Sequence, residues 1–85
     1  MINLAGSVAF TETEYGGVLL DERAGRYWQL NGVGTLALKT MLSGGDTSTA
    51  TAAVCERYDA APETARMDIA ALVAELREAR LIIEV

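Results

Sequence analysis

The hydrophobic period changes once along these 85 residues, and it changes at Asn31-Gly32. Before that point apolar and polar residues alternate, as in "SVAFTET", where Val8 and Phe10 share one face. After it, apolar residues recur at three- and four-residue spacing. A chain written this way is confined to an α+β domain with strands first and helices after, since neither period fits the other element.

Three strands are expected in the first third: "SVAFTET", "GGVLLDE" and "RYWQLN". The second and third meet at "DERAGR". A three-residue loop of Arg23-Ala24-Gly25 puts glycine at the left-handed position such loops require. That register pairs Glu22 with Arg26, Leu20 with Trp28 and Val18 with Leu30. The four apolar side chains then share one face, while Leu19, Tyr27 and Gln29 point away. A loop one residue shorter or longer flips one strand and scatters them.

The remainder reads as helix. "NGVGTLALKTMLSGG" places Val33, Leu36, Ala37, Thr40 and Met41 near one stripe, and Gly44-Gly45 stops it. Asp46 or Thr47 caps the next helix, in which Ala50, Ala53, Val54 and Tyr58 line up. The third helix opens with Pro62 and Glu63, both favourable in a first turn. Its stripe is Ala65, Ile69, Leu72, Leu76 and Ala79, with Val73 widening it to one side. "LIIEV" (81–85) is a candidate short fourth strand. The expected architecture is therefore one α+β domain over residues 1–85: a three-stranded antiparallel meander followed by three helices, with an optional C-terminal strand. Helices two and three have a winged helix-turn-helix-like layout.

Composition narrows function mainly by exclusion. There is no histidine, so imidazole acid–base chemistry and histidine metal ligands are out. Cys55 is the only cysteine; one thiol makes neither a zinc site nor an internal disulfide, and it reads as a small buried hydrophobe. The pairs Gly16-Gly17 and Gly44-Gly45 match no phosphate-binding pattern and are explained by turns. Neither catalysis nor a cofactor nor a metal is expected. Seven basic residues against twelve acidic give a net charge of −5, a poor match to nucleic acid or an anionic membrane surface. No apolar run approaches a membrane span, and "MINLAGSVAF" lacks the features of a signal peptide, so a cytoplasmic location is expected.

Binding remains. In a three-stranded meander the third strand is an edge, and edges are normally blunted by charge or proline. "YWQLN" has neither. The mechanism that fits is β-augmentation, in which a peptide adds as a strand and its alternate side chains enter pockets. Such a guest would meet Trp28, Leu30 and whichever helix borders the edge. The competing reading is that "LIIEV" pairs there instead. On the third helix, Asp68 and Glu75 flank the apolar stripe on one side, with Arg66, Arg77 and Arg80 towards the other. Either these charges are simply solvated, or one flank borders a groove and pairs with charges on a bound peptide.

The ordered set "VLLDERAGRYWQLNGVG", an apolar helix ending in "MLSGG", and "ARMDIAALVAELREARLI" resembles the PqqD family of peptide chaperones, over roughly residues 8 to 84. Among them the chain looks most like the free-standing precursor-recognition proteins of lasso-peptide biosynthesis. The resemblance implies a RiPP recognition element, which binds the leader segment of a ribosomal precursor peptide as an extra strand. It implies a non-enzyme without cofactors, whose partners are the leader, a separate leader peptidase and the macrocycle-forming enzyme. Carried onto this chain, the backbone of Arg26, Tyr27, Trp28, Gln29 and Leu30 pairs with the leader. Leu20, Trp28 and Leu30 line the strand side of the pocket, and Ile69, Leu72, Val73 and Leu76 the helix side. Asp68 adds a polar contact, and Tyr27 and Gln29 point away from the pocket, where they could face the peptidase. The alternative is a winged-helix DNA-binding regulator reading through the third helix. Beyond Thr64 that helix has no Asn, Gln, Ser or Lys for base edges or phosphates.

Overall fold

The backbone turns from strand to helix at Asn31, where the period changes. This residue is extended, and its side-chain oxygen accepts a hydrogen bond of 2.8 Å from the Gly34 N–H, capping the helix that follows. The computed structural model describes residues 1–84. Its elements are β1 (Ile2–Leu4), β2 (Val8–Thr13), β3 (Gly16–Asp21), β4 (Arg26–Leu30), α1 (Gly32–Leu42), α2 (Thr47–Tyr58), α3 (Pro62–Glu78) and β5 (Ile82–Glu84).

The strands form two antiparallel sheets, a β2-β3-β4 meander and a separate β1-β5 ribbon. The ribbon was half expected. "LIIEV" does carry a strand at Ile82–Glu84, with Val85 outside the described residues. Its partner is the N-terminal Ile2–Leu4, not β4, and three residues are too few to show alternation in sequence. Among the described residues the outer edge of β4 is therefore unpaired.

The register of β3 on β4 differs from the sequence expectation by one residue. Asp21 pairs with Arg26, Leu20 with Tyr27, Leu19 with Trp28, Val18 with Gln29 and Gly17 with Leu30. The connection holds four residues, Glu22 to Gly25, rather than three. Gly25 still takes the left-handed position, with φ 67°. The extra residue is accommodated by Asp21: its carbonyl accepts from the Gly25 N–H at 2.9 Å and its carboxylate from the Ala24 N–H at 3.3 Å. Such an Asx-type turn is a natural start for a four-residue loop. The Ser7 hydroxyl donates to the same carboxylate at 3.1 Å, so an aspartate on the inward face of a strand is satisfied.

The one-residue shift reverses β3 while leaving β4 as expected. Leu19 faces inward and is fully buried, whereas Leu20 is 42% exposed beside Tyr27 on the outer face. Gly16 is fixed by a close approach: a Cβ there would collide with the carbonyl oxygen of Leu30, and its φ of 142° already disfavours other residues. The pair Gly16-Gly17 thus opens a strand rather than only making a turn.

The helices pack on the inner face of the meander around Leu19, Leu38, Met41, Val54, Ile69, Leu76 and Leu81. On α1 the buried stripe is Thr35, Ala37, Leu38 and Met41; Val33, Leu36 and Thr40 are only half-buried. Asp46 caps α2 through the Thr49 N–H at 2.8 Å, and Ala50 and Val54 are its buried positions, while Tyr58 is largely exposed. On α3, Pro62 stands in the first turn, and Ala65, Ile69, Val73 and Leu76 are buried. Leu72, expected on the core stripe, is half-buried and turned towards β4.

Candidate functional site

Between β4 and α3 lies a groove of about 370 Å³, closed at one end by the start of α1. Its strand side is Trp28, Gln29 and Leu30, and its helix side is Asp68, Ile69, Ala71, Leu72 and Glu75. Asn31, Val33 and Gly34 close the end. The geometry follows from local chemistry. The alternation of β4 turns Trp28 and Leu30 inward, and the Asn31 cap then starts α1 at once, so strand and helix meet with no loop to fill the corner. Gly34 leaves that corner low. A Cβ on it would stand 3.6 Å from a Leu72 methyl and 3.7 Å from the Leu30 side chain.

At the other end, the Arg26 guanidinium donates to the Ala79 carbonyl at 3.5 Å, a weak contact that links the start of β4 to the C-terminal end of α3. The two elements therefore run side by side in opposite directions. Charge differs between two clefts: one has three arginines together with Asp21, the other carboxylates alone. Arg23, Arg26 and Arg80 border the first, a separate cleft beside the start of β4. The charged residues lining the groove are Asp68 and Glu75.

Trp28, Gln29, Leu30, Asp68, Ile69 and Leu72, named from sequence, are brought together here. Val73 and Leu76 are not; both are buried in the core behind the groove. Leu20 stands on the opposite face of the sheet because of the four-residue loop, so its expected place on the pocket side is corrected. Tyr27, 68% exposed, faces outward as its alternation requires, whereas Gln29, expected to point away as well, borders the groove. The side chain of Arg26 turns to Ala79, which leaves its backbone as the part of it on the strand edge. Sequence reasoning passed over Asn31, Val33, Gly34 and Ala71. The first and third were within reach, since an N-cap Asn binding the N–H three residues on fixes both at the strand–helix corner. Of the two flanks of α3, the acidic one borders the groove.

A family model for coenzyme PQQ synthesis protein D (PqqD) matches residues 16–82. The chain belongs to the PqqD family. A solved structure of a lasso peptide synthetase B1 complexed with the leader peptide is similar at 34% identity and a TM-score of 0.87, covering 98% of this chain and 98% of that one. TbiB1 in complex with the TbiA(beta) leader peptide is similar at 20% identity and a TM-score of 0.84, covering 98% of this chain and 96% of that one. At the lower identity the likeness speaks for the fold alone. No curated protein matches the chain.

Proposed function

We propose that this protein binds the leader segment of a ribosomally made precursor peptide by strand addition to β4, with the guest's inward side chains in the groove against α3. The observation that carries the reading is the pairing of an unpaired strand edge with a groove directly beside it. Main-chain hydrogen bonds to Arg26–Leu30 supply affinity that depends little on sequence, and Trp28, Leu30, Ile69 and Leu72 select the side chains. Family membership and the likeness to a leader-peptide complex support the same partner. The domain acts as an adaptor without cofactor or catalysis of its own, presenting the precursor to a leader peptidase and then to the macrocycle-forming enzyme. It would do so in the cytoplasm; no helix of the described residues is long and apolar enough to cross a membrane.

The DNA-binding reading of a winged helix-turn-helix-like outline has little support. Arg66 of α3 is held by Glu63 at 2.6 Å, Arg77 by Glu84, and Lys39 of α1 by Glu12 at 3.0 Å. Cations already paired with their own carboxylates add little to phosphate binding, and the net charge is −5.

The test is a titration with a labelled peptide spanning the leader of the precursor encoded beside this gene. Trp28 is the only tryptophan and lines the groove, so its emission reports the site directly. Saturable polarisation change, accompanied by a shift in Trp28 emission and retained at moderate salt, is expected. Absence of saturation through the micromolar range rejects the reading.

A further inference from the structure

Resting on the proposal above, the charge of the groove points to a property of the guest. We infer that the bound segment is basic: it carries lysine or arginine on the side turned towards α3, where Asp68 and Glu75 receive it.

Asp68 and Glu75 are seven residues apart, two helical turns, which puts both on the groove side of α3 about 10 Å apart along its axis. Leu72 lies between them on the same wall. Among the described residues neither carboxylate has an ion pair or a side-chain hydrogen bond. Five other carboxylates are satisfied within the chain: Glu63 by Arg66, Glu84 by Arg77, Glu12 by Lys39, and Asp21 and Asp46 by backbone N–H groups. Among the described residues Glu14, Glu22, Glu56, Asp59 and Glu78 are also without such a partner, and what sets Asp68 and Glu75 apart from these is that both line the groove. No cation lines the groove, and the nearest cluster of arginines, Arg23, Arg26 and Arg80, borders the cleft at the far end of β4.

A guest strand laid along β4 brings every second side chain to this wall. An acidic side chain placed there would meet two unpaired carboxylates beside an apolar floor, and like charges at such range oppose binding. A lysine or arginine satisfies both needs: its methylene stem lies along Leu72 while its head reaches a carboxylate. The carboxylates thus act as a selectivity filter on a groove whose main-chain contacts alone would accept almost any extended peptide.

The experiment titrates the labelled leader peptide against the unaltered protein, Asp68→Asn, Glu75→Gln and, as a control outside the groove, Glu56→Gln on α2, each at low and moderate salt. Both groove variants conserve shape and lie at exposed positions, so folding is retained. Expected is a two- to fivefold loss of affinity for each groove variant at low salt, about the strength of an exposed ion pair, with a flatter salt dependence and no change for Glu56→Gln. Replacing the leader's basic residues one at a time by alanine should reproduce the loss at one position or more. Equal affinity and equal salt dependence across all four proteins overturns the inference while leaving leader binding intact. A uniform loss that includes Glu56→Gln assigns the effect to net charge and also overturns it. Failure of the unaltered protein to bind removes the proposed function, and this inference with it.

Discussion

The meander has two edge strands, β2 and β4, and among the described residues both leave a row of backbone N–H and C=O groups without a strand partner. Only β4 runs beside a groove walled by α3. β2 ends instead in Thr11, Glu12 and Thr13, with the Glu12 carboxylate drawn to Lys39 of α1. An open edge is common and, by itself, a hazard that charge and brevity keep in check. What separates the two edges is the second wall: α3 with Ile69 and Leu72 lines a groove along β4, whereas a smaller cavity of about 260 Å³ meets β2 only at its end, Glu12 and Thr13, against Lys39, Arg57 and Tyr58. At β4 a guest side chain is offered an apolar floor at Leu30 and Leu72 and a chemical choice at Asp68 and Glu75. At β2 it would find a charged end already paired within the molecule. Strand addition becomes recognition only where the edge and a side-chain pocket coincide.

The wall at β4 depends on the register of the strand between the two edges, and the largest expected effect probes that register. Leu19 lies opposite Trp28 in the core, and Leu20 lies opposite Tyr27 outside. Leu19→Ala should destabilise the fold by about 2–5 kcal/mol, as large-to-small changes at fully buried positions do. Leu20→Ala, losing cross-strand contacts with Ala9 and Tyr27 on the outer face, should cost less than about 1 kcal/mol. Chemical denaturation of the two variants measures both. A larger loss at Leu20 would restore the three-residue loop and turn the wrong face of β3 to the helices, and the distinction between the edges would lose its basis.

The edges themselves are separated by a matched pair of charge insertions. Leu72→Asp places a third carboxylate on the groove wall and removes its apolar floor; leader affinity should fall tenfold or more, since burying a leucine side chain is worth about 1.5–3 kcal/mol. Thr11→Asp, on the outer face of β2, should leave affinity unchanged. Polarisation titrations of both variants decide it, with circular dichroism as the check on folding. Loss of binding in the Thr11 variant with retention in the Leu72 variant would move the guest to the other edge.

Much of this contrast was legible in the sequence, and the part that was not has a definite cause. The strand-to-helix switch at Asn31, the Pro62 start and the inward side of β4 followed from local rules with one answer each, and the cap of α2 was narrowed to Asp46 or Thr47, of which Asp46 serves. The run Val18-Leu19-Leu20 did not have one answer. Three consecutive apolar residues satisfy a period of two in either phase, so the phase was left to the loop, and a glycine at the left-handed position fits loops of three and of four residues. The overlooked signal was Asp21, whose side chain favours the longer turn but reads as out of place on a core-facing position. The β1 strand was hidden for another reason: it exists through pairing with residues some eighty positions away, and three residues carry no period. In the groove, Leu72 shares the helical stripe of the true core residues. Only the position of β4 makes it a wall rather than a plug.

Asp21 also yields the smallest and most local expected effect, because it is tied to both edges at once. It lies opposite Val8 of β2 and Arg26 of β4. The Ala24 N–H, chiefly, and then the Ser7 hydroxyl hold its carboxyl below the ordinary carboxylate range, with further help from the Arg23 N–H and the Arg26 charge, while desolvation works against them. A carboxyl whose pKa is lower in the folded state than in the unfolded chain stabilises the fold at any pH above the unfolded value, near 4. That contribution is lost as pH falls from there through the folded value. Asp21→Ala should therefore lower Tm modestly at neutral pH, and the gap to the unaltered protein should hold down to about pH 5 and close below about pH 4. Thermal melts across that range test it. A gap that persists undiminished into strong acid would mean that the carboxylate does not set the four-residue loop. The register that turns one edge towards a groove and the other away from it would then need another origin.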